Sequence, residues 1–171
     1  AGGPVVVGYV GRLEPEKRLD RLVEAMAGMR ARLMLVGDGS ETWRLRKLAA
    51  ASQVTDLDHR PVLPWAEVPD LMRQMDCFVL PSETEGSSKV LLEAMATGLP
   101  CIVSPGAAGP ILEGKTGLVA PSVSGLRDAL RAVLGSPLLA QRLGEEARAW
   151  VTEQADIHRL LARETDFVRT C

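Results

Sequence analysis

Short β-branched runs alternate along this chain with longer stretches whose apolar residues recur at helical spacing. The run VVVGYV (5–10) is apolar throughout, as in a strand buried on both faces. Behind it Leu19, Leu22, Val23 and Met26 fall on one helical face. RLMLVG (32–37) reads as a second strand and TWRLRKLAAAS (42–52) as a second helix. LDHRPV (57–62) is a weaker strand, followed by a helix from about Trp65 to Met75. CFVLPS (77–82) predicts a fourth strand, and SSKVLLEAMATG (87–98) a helix stopped by Gly98 with Pro100 just beyond. CIVS (101–104) and GLVAP (117–121) are the last strands, and helical patterns over 123–134, 137–152 and 156–169 complete the chain.

Strands alternating with helices imply βαβ units, and hence an α/β fold around a parallel sheet of about six strands flanked by helices. In such sheets ligands bind beyond the carboxyl ends of the strands, so the loops that leave each strand are where chemistry is expected.

Composition narrows the picture. A length of 171 residues suits one domain with a substantial core, and 46% hydrophobic with 25% charged residues is a globular balance. A net charge of −2 gives no footing for a nucleic-acid partner. No apolar run reaches the roughly 18–20 residues of a transmembrane helix. The opening AGGPVVVGYVG has neither an initiating Met nor a signal-peptide pattern, and the chain is expected to be a piece of a larger protein. Cys77 and Cys101 stand in apolar runs and Cys171 ends the chain, with no spacing that suggests disulfides or zinc. Buried thiols in a reducing compartment, the cytoplasm, are expected.

Three loops carry candidate chemistry. In GRLEPEKRLD (11–20), Arg12 and Lys17 bracket a proline turn at a helix start and make either a phosphate clamp or a solvated turn balanced by Glu14 and Glu16. GDGSET (37–42) opens like a dinucleotide fingerprint, but Thr42 stands where the third glycine belongs. A tight strand-to-helix turn, with Asp38 or Ser40 near the cap, is expected there. EGSSKVLLE (85–93) holds two carboxylates, Glu85 and Glu93, with Ser87 or Ser88 as the helix N-cap between them. A helix throughout would separate their Cα atoms by about 12 Å. That is too far to share a proton or a metal ion, and beyond the roughly 5–9.5 Å of two-carboxylate hydrolases. It suits two handles on one long ligand, with a helix N-terminus facing an anionic middle. His59 and His158 stand in no motif and are expected to be structural or surface residues.

GRLEPEKRLDRLVEAM, LMLVGDG, DCFVLPSETEGSSKVLLEAMATGLPCIVS and EGKTGLVAP together resemble the C-terminal domain of GT-B retaining glycosyltransferases of the group 1 (family 4) type, in order and over about residues 5–150. The resemblance implies a Rossmann-like sheet forming the C-terminal half of a GT-B fold. Residues 1–153 would bind the nucleotide-sugar donor, and 154–171 would form a final helix crossing toward an absent N-terminal domain. It implies that Arg12 and Lys17 hold the diphosphate and stabilise the leaving group, that Glu85 binds and positions the donor sugar, and that Glu93 binds the ribose. Backbone amides of Ser87, Ser88 and Lys89 would meet the phosphates and sugar, and the base would rest near Val62 and Leu63. No metal or other cofactor is implied. The acceptor, a glycan, lipid or small molecule, would meet the absent domain, which could also bring the protein to a membrane surface. The isolated domain would bind nucleotide and transfer little or no sugar.

Two departures touch the sugar end. Ser87 and Ser88 replace the aromatic and glycine of many members, and Lys89 puts a cation into the first helical turn, against the macrodipole. SPGAAGPILEGKTG (104–117) is about two residues shorter than the usual glycine-rich loop, and Glu113 belongs to the turn that follows. The alternatives are a non-catalytic nucleotide-binding module of the same fold and an NAD-type Rossmann domain, which the incomplete glycine fingerprint disfavours.

Overall fold

The computed structural model describes residues 3–86 and 88–154. Strands β1 (Val5–Val10), β2 (Ala31–Val36), β3 (Leu57–Arg60), β4 (Cys77–Leu80), β5 (Cys101–Val103) and β6 (Leu118–Val119) form one sheet in the order β3-β2-β1-β4-β5-β6. Every pairing is parallel, β1 running in register with β2 from Val5↔Ala31 to Val10↔Val36. Helices α1 (Leu19–Ala25), α2 (Thr42–Ala51), α3 (Val68–Met72), α4 (Lys89–Ala96), α5 (Val123–Gly135) and α6 (Pro137–Gln154) supply the flanking layers. α1 packs on α2 and α5, and α4 packs on α3 and α6.

The burial pattern explains which elements read clearly in the sequence. All of β4 and β5 is buried, as is β1 from Val6 onward, so each had to be an unbroken apolar run. β3 lies at the sheet edge with all four residues half-buried, and tolerates LDHR because Arg60 Nη2 pairs with Asp58 Oδ2 at 2.8 Å. The helix expected over 65–75 divides into a 3-10 turn, Trp65–Glu67, and the five-residue α3. Pro64 precedes that turn and Pro69 sits in the first turn of α3, where its missing N–H costs nothing. The helix expected from Ser87 begins at Lys89, because Ser88 is its N-cap and accepts from Leu91 N at 3.3 Å. Segment 156–169, His158 and Cys171 lie outside the described residues, as does Ser87.

Cys77 and Cys101 are buried and free, and burial pushes both thiols far above the usual range, so they are inert protonated core groups. His59 is a structural strand residue. Its Nδ1 faces Arg46 Nη2 at 2.7 Å, which can only donate, so Nε2 carries the proton and gives it to Gly37 O at 2.9 Å.

The GDG turn is a packing device. A Cβ on Gly37 would stand 1.9 Å from Gly11 O, and one on Gly39 would stand 2.3 Å from Leu13 O. The β1 loop therefore lies directly on the β2 loop, tied by Leu13 N to Asp38 O and Glu41 N to Leu13 O, both 2.9 Å. Asp38 Oδ1 accepts from Gly39 N and Thr42 Oγ1 at 2.8 Å each, which closes the turn into α2. Gly37 also has φ +135°, where a side chain is strained. Gly37→Ala should lower unfolding stability by more than about 2 kcal/mol. Gly135→Ala, where a Cβ meets nothing within 4 Å, should leave stability unchanged or raise it by up to about 1 kcal/mol. Urea midpoints of the two variants check both.

Candidate functional site

The strand order reverses between β1 and β4, and the loops leaving these two strands are bound to each other. After β1, Leu13 is buried as an anchor and Tyr9 Oη donates to Arg12 O at 2.8 Å. Burial, with Glu85 nearby, pushes the Tyr9 phenol well above its usual range, so it remains a donor. A 3-10 turn, Pro15–Lys17, follows, and Arg18 at φ 49° redirects the chain into α1. Arg18 holds that conformation through ion pairs to Asp20 and, at 2.6 Å, to Glu83 Oε1.

Lys17 was expected at the start of the following helix, beside its N-terminus. Instead it ends the separate 3-10 turn, and its Nζ lies 2.7 Å from Glu85 Oε1. Both side chains are only about 15% exposed (15% and 16%), so neither charge is freely solvated. Ser82, fully buried, donates to the same Glu85 oxygen at 2.7 Å. The loop carrying Glu85 is fixed from both sides, with Glu83 N on Glu16 O and Glu85 N on Gly106 O, each 2.9 Å, and Ser104 Oγ donating to Ser82 O. Glu85 Oε2 has no protein partner among the described residues.

A cavity of ≈ 330 Å³ opens at this junction, lined by Tyr9, Arg12, Lys17, Glu85, Ser88 and Lys89 among others. The side chain of Ser88 is spent on capping α4. The backbone amides of Ser88, Lys89 and Val90 reach no acceptor among the described residues, which leaves the N-terminus of α4 open to an anion. Lys89 is exposed and has no ion pair among them. The Arg12 guanidinium, with 71% of the side chain exposed, pairs among the described residues with Glu16 at 3.2 Å, a surface pair that leaves it free to turn.

A second cavity, ≈ 210 Å³, adjoins the first and shares Val10, Gly11, Arg12 and Trp65 with it. Val36, Val62, Leu63 and Val68 make its walls largely apolar, with Asp38 at its edge.

Arg12, Lys17, Glu85, Ser88 and Lys89 thus come together, and Val62 and Leu63 stand next door. Glu93 lines neither cavity; it lies one turn farther along α4, on the face of Lys89 and Val90. Its Oε2 is buried with no partner among the described residues, and burial raises its carboxyl above the usual range. Because α4 starts at Lys89, only four helical residues separate Lys89 from Glu93, about 6 Å of rise. The loop, and not a continuous helix, sets the distance between the two carboxylates. Glu113 belongs to the later turn, as expected, and accepts from Val119 N.

Two residues of the site escaped the sequence reading. Ser82 is the serine of LPSE, whose value lies in a contact that spacing does not reveal. Trp65 is an exposed aromatic in a proline-rich loop after β3, a signal that was available. Among the described residues no cluster of three or more His, Cys, Asp or Glu groups could hold a metal ion, and no helix is long and apolar enough to cross a membrane.

The profile of the family described as "Glycosyl transferases group 1" matches residues 1–150. A GDP-mannose-dependent alpha-mannosyltransferase of Mycobacterium tuberculosis is 38% identical over 122 residues, covering 70% of this chain and 31% of its own length. Glycogen synthase of the same organism is 35% identical over 170 residues, covering 90% of this chain and 40% of its own. Among solved structures, sucrose-phosphate synthase from Thermosynechococcus elongatus superposes with a TM-score of 0.92 at 26% identity, over 98% of this chain and 45% of that one. The chain spans less than half the length of each. With a family match over almost nine-tenths of its length, it belongs to the group 1 glycosyl transferases.

Proposed function

We propose that this chain is the donor-binding half of a retaining glycosyltransferase, which takes a nucleoside-diphosphate sugar and passes the sugar to an acceptor held by a separate N-terminal domain. The observation that carries this reading is the Lys17–Glu85 contact at the strand switch, set between the open N-terminus of α4 and an apolar cavity. A nucleotide sugar has the matching sequence of parts, an apolar-faced base, an anionic middle and a hydroxyl-bearing end.

Each side chain has capacity left for such a ligand. An ammonium carries three donors, and Lys17 gives one to Glu85, which leaves two for diphosphate oxygens. Arg12 is free to swing onto the same oxygens as a bidentate partner. The α4 amides complete a cationic cradle for the charge that gathers on the leaving diphosphate as the glycosidic bond breaks. Glu85 Oε1 is held by Lys17 and Ser82, and Oε2 is left to accept a sugar hydroxyl and to face the positive charge of an oxocarbenium-like transition state. Among the described residues the buried Oε2 of Glu93 has no donor, and a ribose hydroxyl would supply one. Ser87 and Lys89 are assigned to the sugar–phosphate region on the family resemblance. Two buried reduced thiols fit a cytoplasmic protein.

Titration calorimetry with UDP, GDP and ADP tests the reading, which fails if the chain binds none of them. Arg12→Ala should weaken binding by about tenfold or more, the loss of one charge-assisted contact, with the melting temperature unchanged because its protein pair is exposed. Lys17→Ala should lose binding and stability together, since it strands the Glu85 carboxylate.

Glu93→Gln should separate the two properties in the other direction. The folded carboxyl is raised, so ionising it costs folding free energy, and that cost is absent in acid and present once the group is charged. The variant should therefore melt higher than the parent at neutral pH, converge with it in acid, and bind nucleotide more weakly. Thermal melts across pH, paired with calorimetry, check both halves.

A further inference from the structure

Five large apolar side chains are exposed among the described residues, and two of them, Val62 and Trp65, meet at the ≈ 210 Å³ cavity beside the strand switch. Trp65 is 57% exposed although it stands on a well-anchored turn. Glu67 N bonds Pro64 O at 2.9 Å, the Val68 amide bonds Trp65 O, and Val68, Leu71 and Met72 are buried beneath. Its backbone is thus fixed, and only two side-chain torsions remain to be ordered on contact with a ligand. Trp43, the other exposed tryptophan, is already covered by Lys47 Nζ at 3.7 Å from its ring centre. Trp65 has no such cover among the described residues.

Four residues line both cavities, and of these Val10 is buried and Gly11 has no side chain. Arg12 and Trp65 therefore frame the passage between the apolar cavity and the one holding Lys17 and Glu85. Asp38 edges the apolar cavity, and hydrogen bonds from Thr42 and Gly39 hold its carboxyl below the usual range, so it is ionised. A diphosphate is repelled there and drawn to Lys17 and the α4 amides, which leaves the apolar cavity to an uncharged planar group.

We propose that Trp65 is the stacking platform for the nucleobase of the donor. The inference rests on the donor-binding reading and assigns a residue that the reading did not contain. Every base offers a π-face, so the contact adds affinity without selecting among bases.

The test compares Trp65→Ala, Trp65→Phe and the parent chain. Trp65→Ala should weaken UDP, GDP and ADP alike by about tenfold or more, while inorganic pyrophosphate competes for the phosphate region as well as before. Nucleotide should quench tryptophan emission in the parent, and Trp65→Phe should keep most of the affinity and lose that quenching, since Trp43 and Trp150 lie elsewhere. Nucleotide affinity within about twofold of the parent in Trp65→Ala, or an equal loss of pyrophosphate competition, would overturn the inference and leave the donor-binding reading standing. If the parent itself binds no nucleoside diphosphate, the donor-binding reading falls, and the stacking role with it.

Discussion

Lys17 and Glu85 are 68 residues apart in the chain and 2.7 Å apart in space. Neither position is stable alone, because an ion that is only about 15% exposed has lost most of its water and needs a partner in return. The partner arrives through topology. The first three strands build the sheet outward on one side of β1, and β4 then returns to its other side. The loops after β1 and β4 are thereby forced against each other at the carboxyl edge. A backbone bond from Glu83 N to Glu16 O ties the two loops together, and one from Glu85 N to Gly106 O fastens the β4 loop to the loop after β5. The cation assigned to the phosphates is thus held by the carboxylate assigned to the sugar, and neither can shift without the other.

Burial made much of the fold legible in the sequence, whereas parts of the site rest on single side-chain contacts that leave no pattern. Strands buried on both faces must be apolar throughout, so VVVGYV and CFVL could hardly read otherwise. The edge strand LDHR is half-buried and held by its backbone ladder to β2, so it can carry charged side chains paired with each other, and its pattern is correspondingly weak. The split at Trp65–Met72 depends on where two prolines fall relative to a turn, which periodicity blurs. Arg12, Lys17 and Glu85 were visible as charged residues just past strands. Ser82 was not, because its role is one hydrogen bond to a residue three positions away, and a serine after a proline commonly does nothing more than turn the chain. The helical spacing of the carboxylate pair was conditional on a helix running through Ser88, whose hydroxyl instead caps a helix that begins at Lys89.

The glycines of GDG show how one local pattern admits two causes. Glycine permits a close approach, and the approaching group can be a cofactor phosphate or another stretch of the same protein. Here the Cβ positions of Gly37 and Gly39 are filled by carbonyls of Gly11 and Leu13. The resulting contact seats the β1 loop, and with it Arg12 and Lys17, on the β2 loop.

The charges of the site follow a spatial order that constrains its ligand. Asp38 lies at the edge of the apolar cavity, Arg12 at the junction, Lys17 and the open α4 amides in the next cavity, and Glu85 beside them. Glu93, a turn along α4, has a buried oxygen without a donor among the described residues, a cost that a hydroxyl group would relieve. Uniform positive charge would suit a polyanion, and uniform negative charge a metal or a polycation. Carboxylates flanking a cationic centre suit instead a molecule that is anionic in the middle and rich in hydrogen-bond donors toward its ends. A nucleotide sugar has that distribution. A free diphosphate lacks the ends, and an uncharged sugar lacks the middle, so each would leave part of this arrangement without a partner.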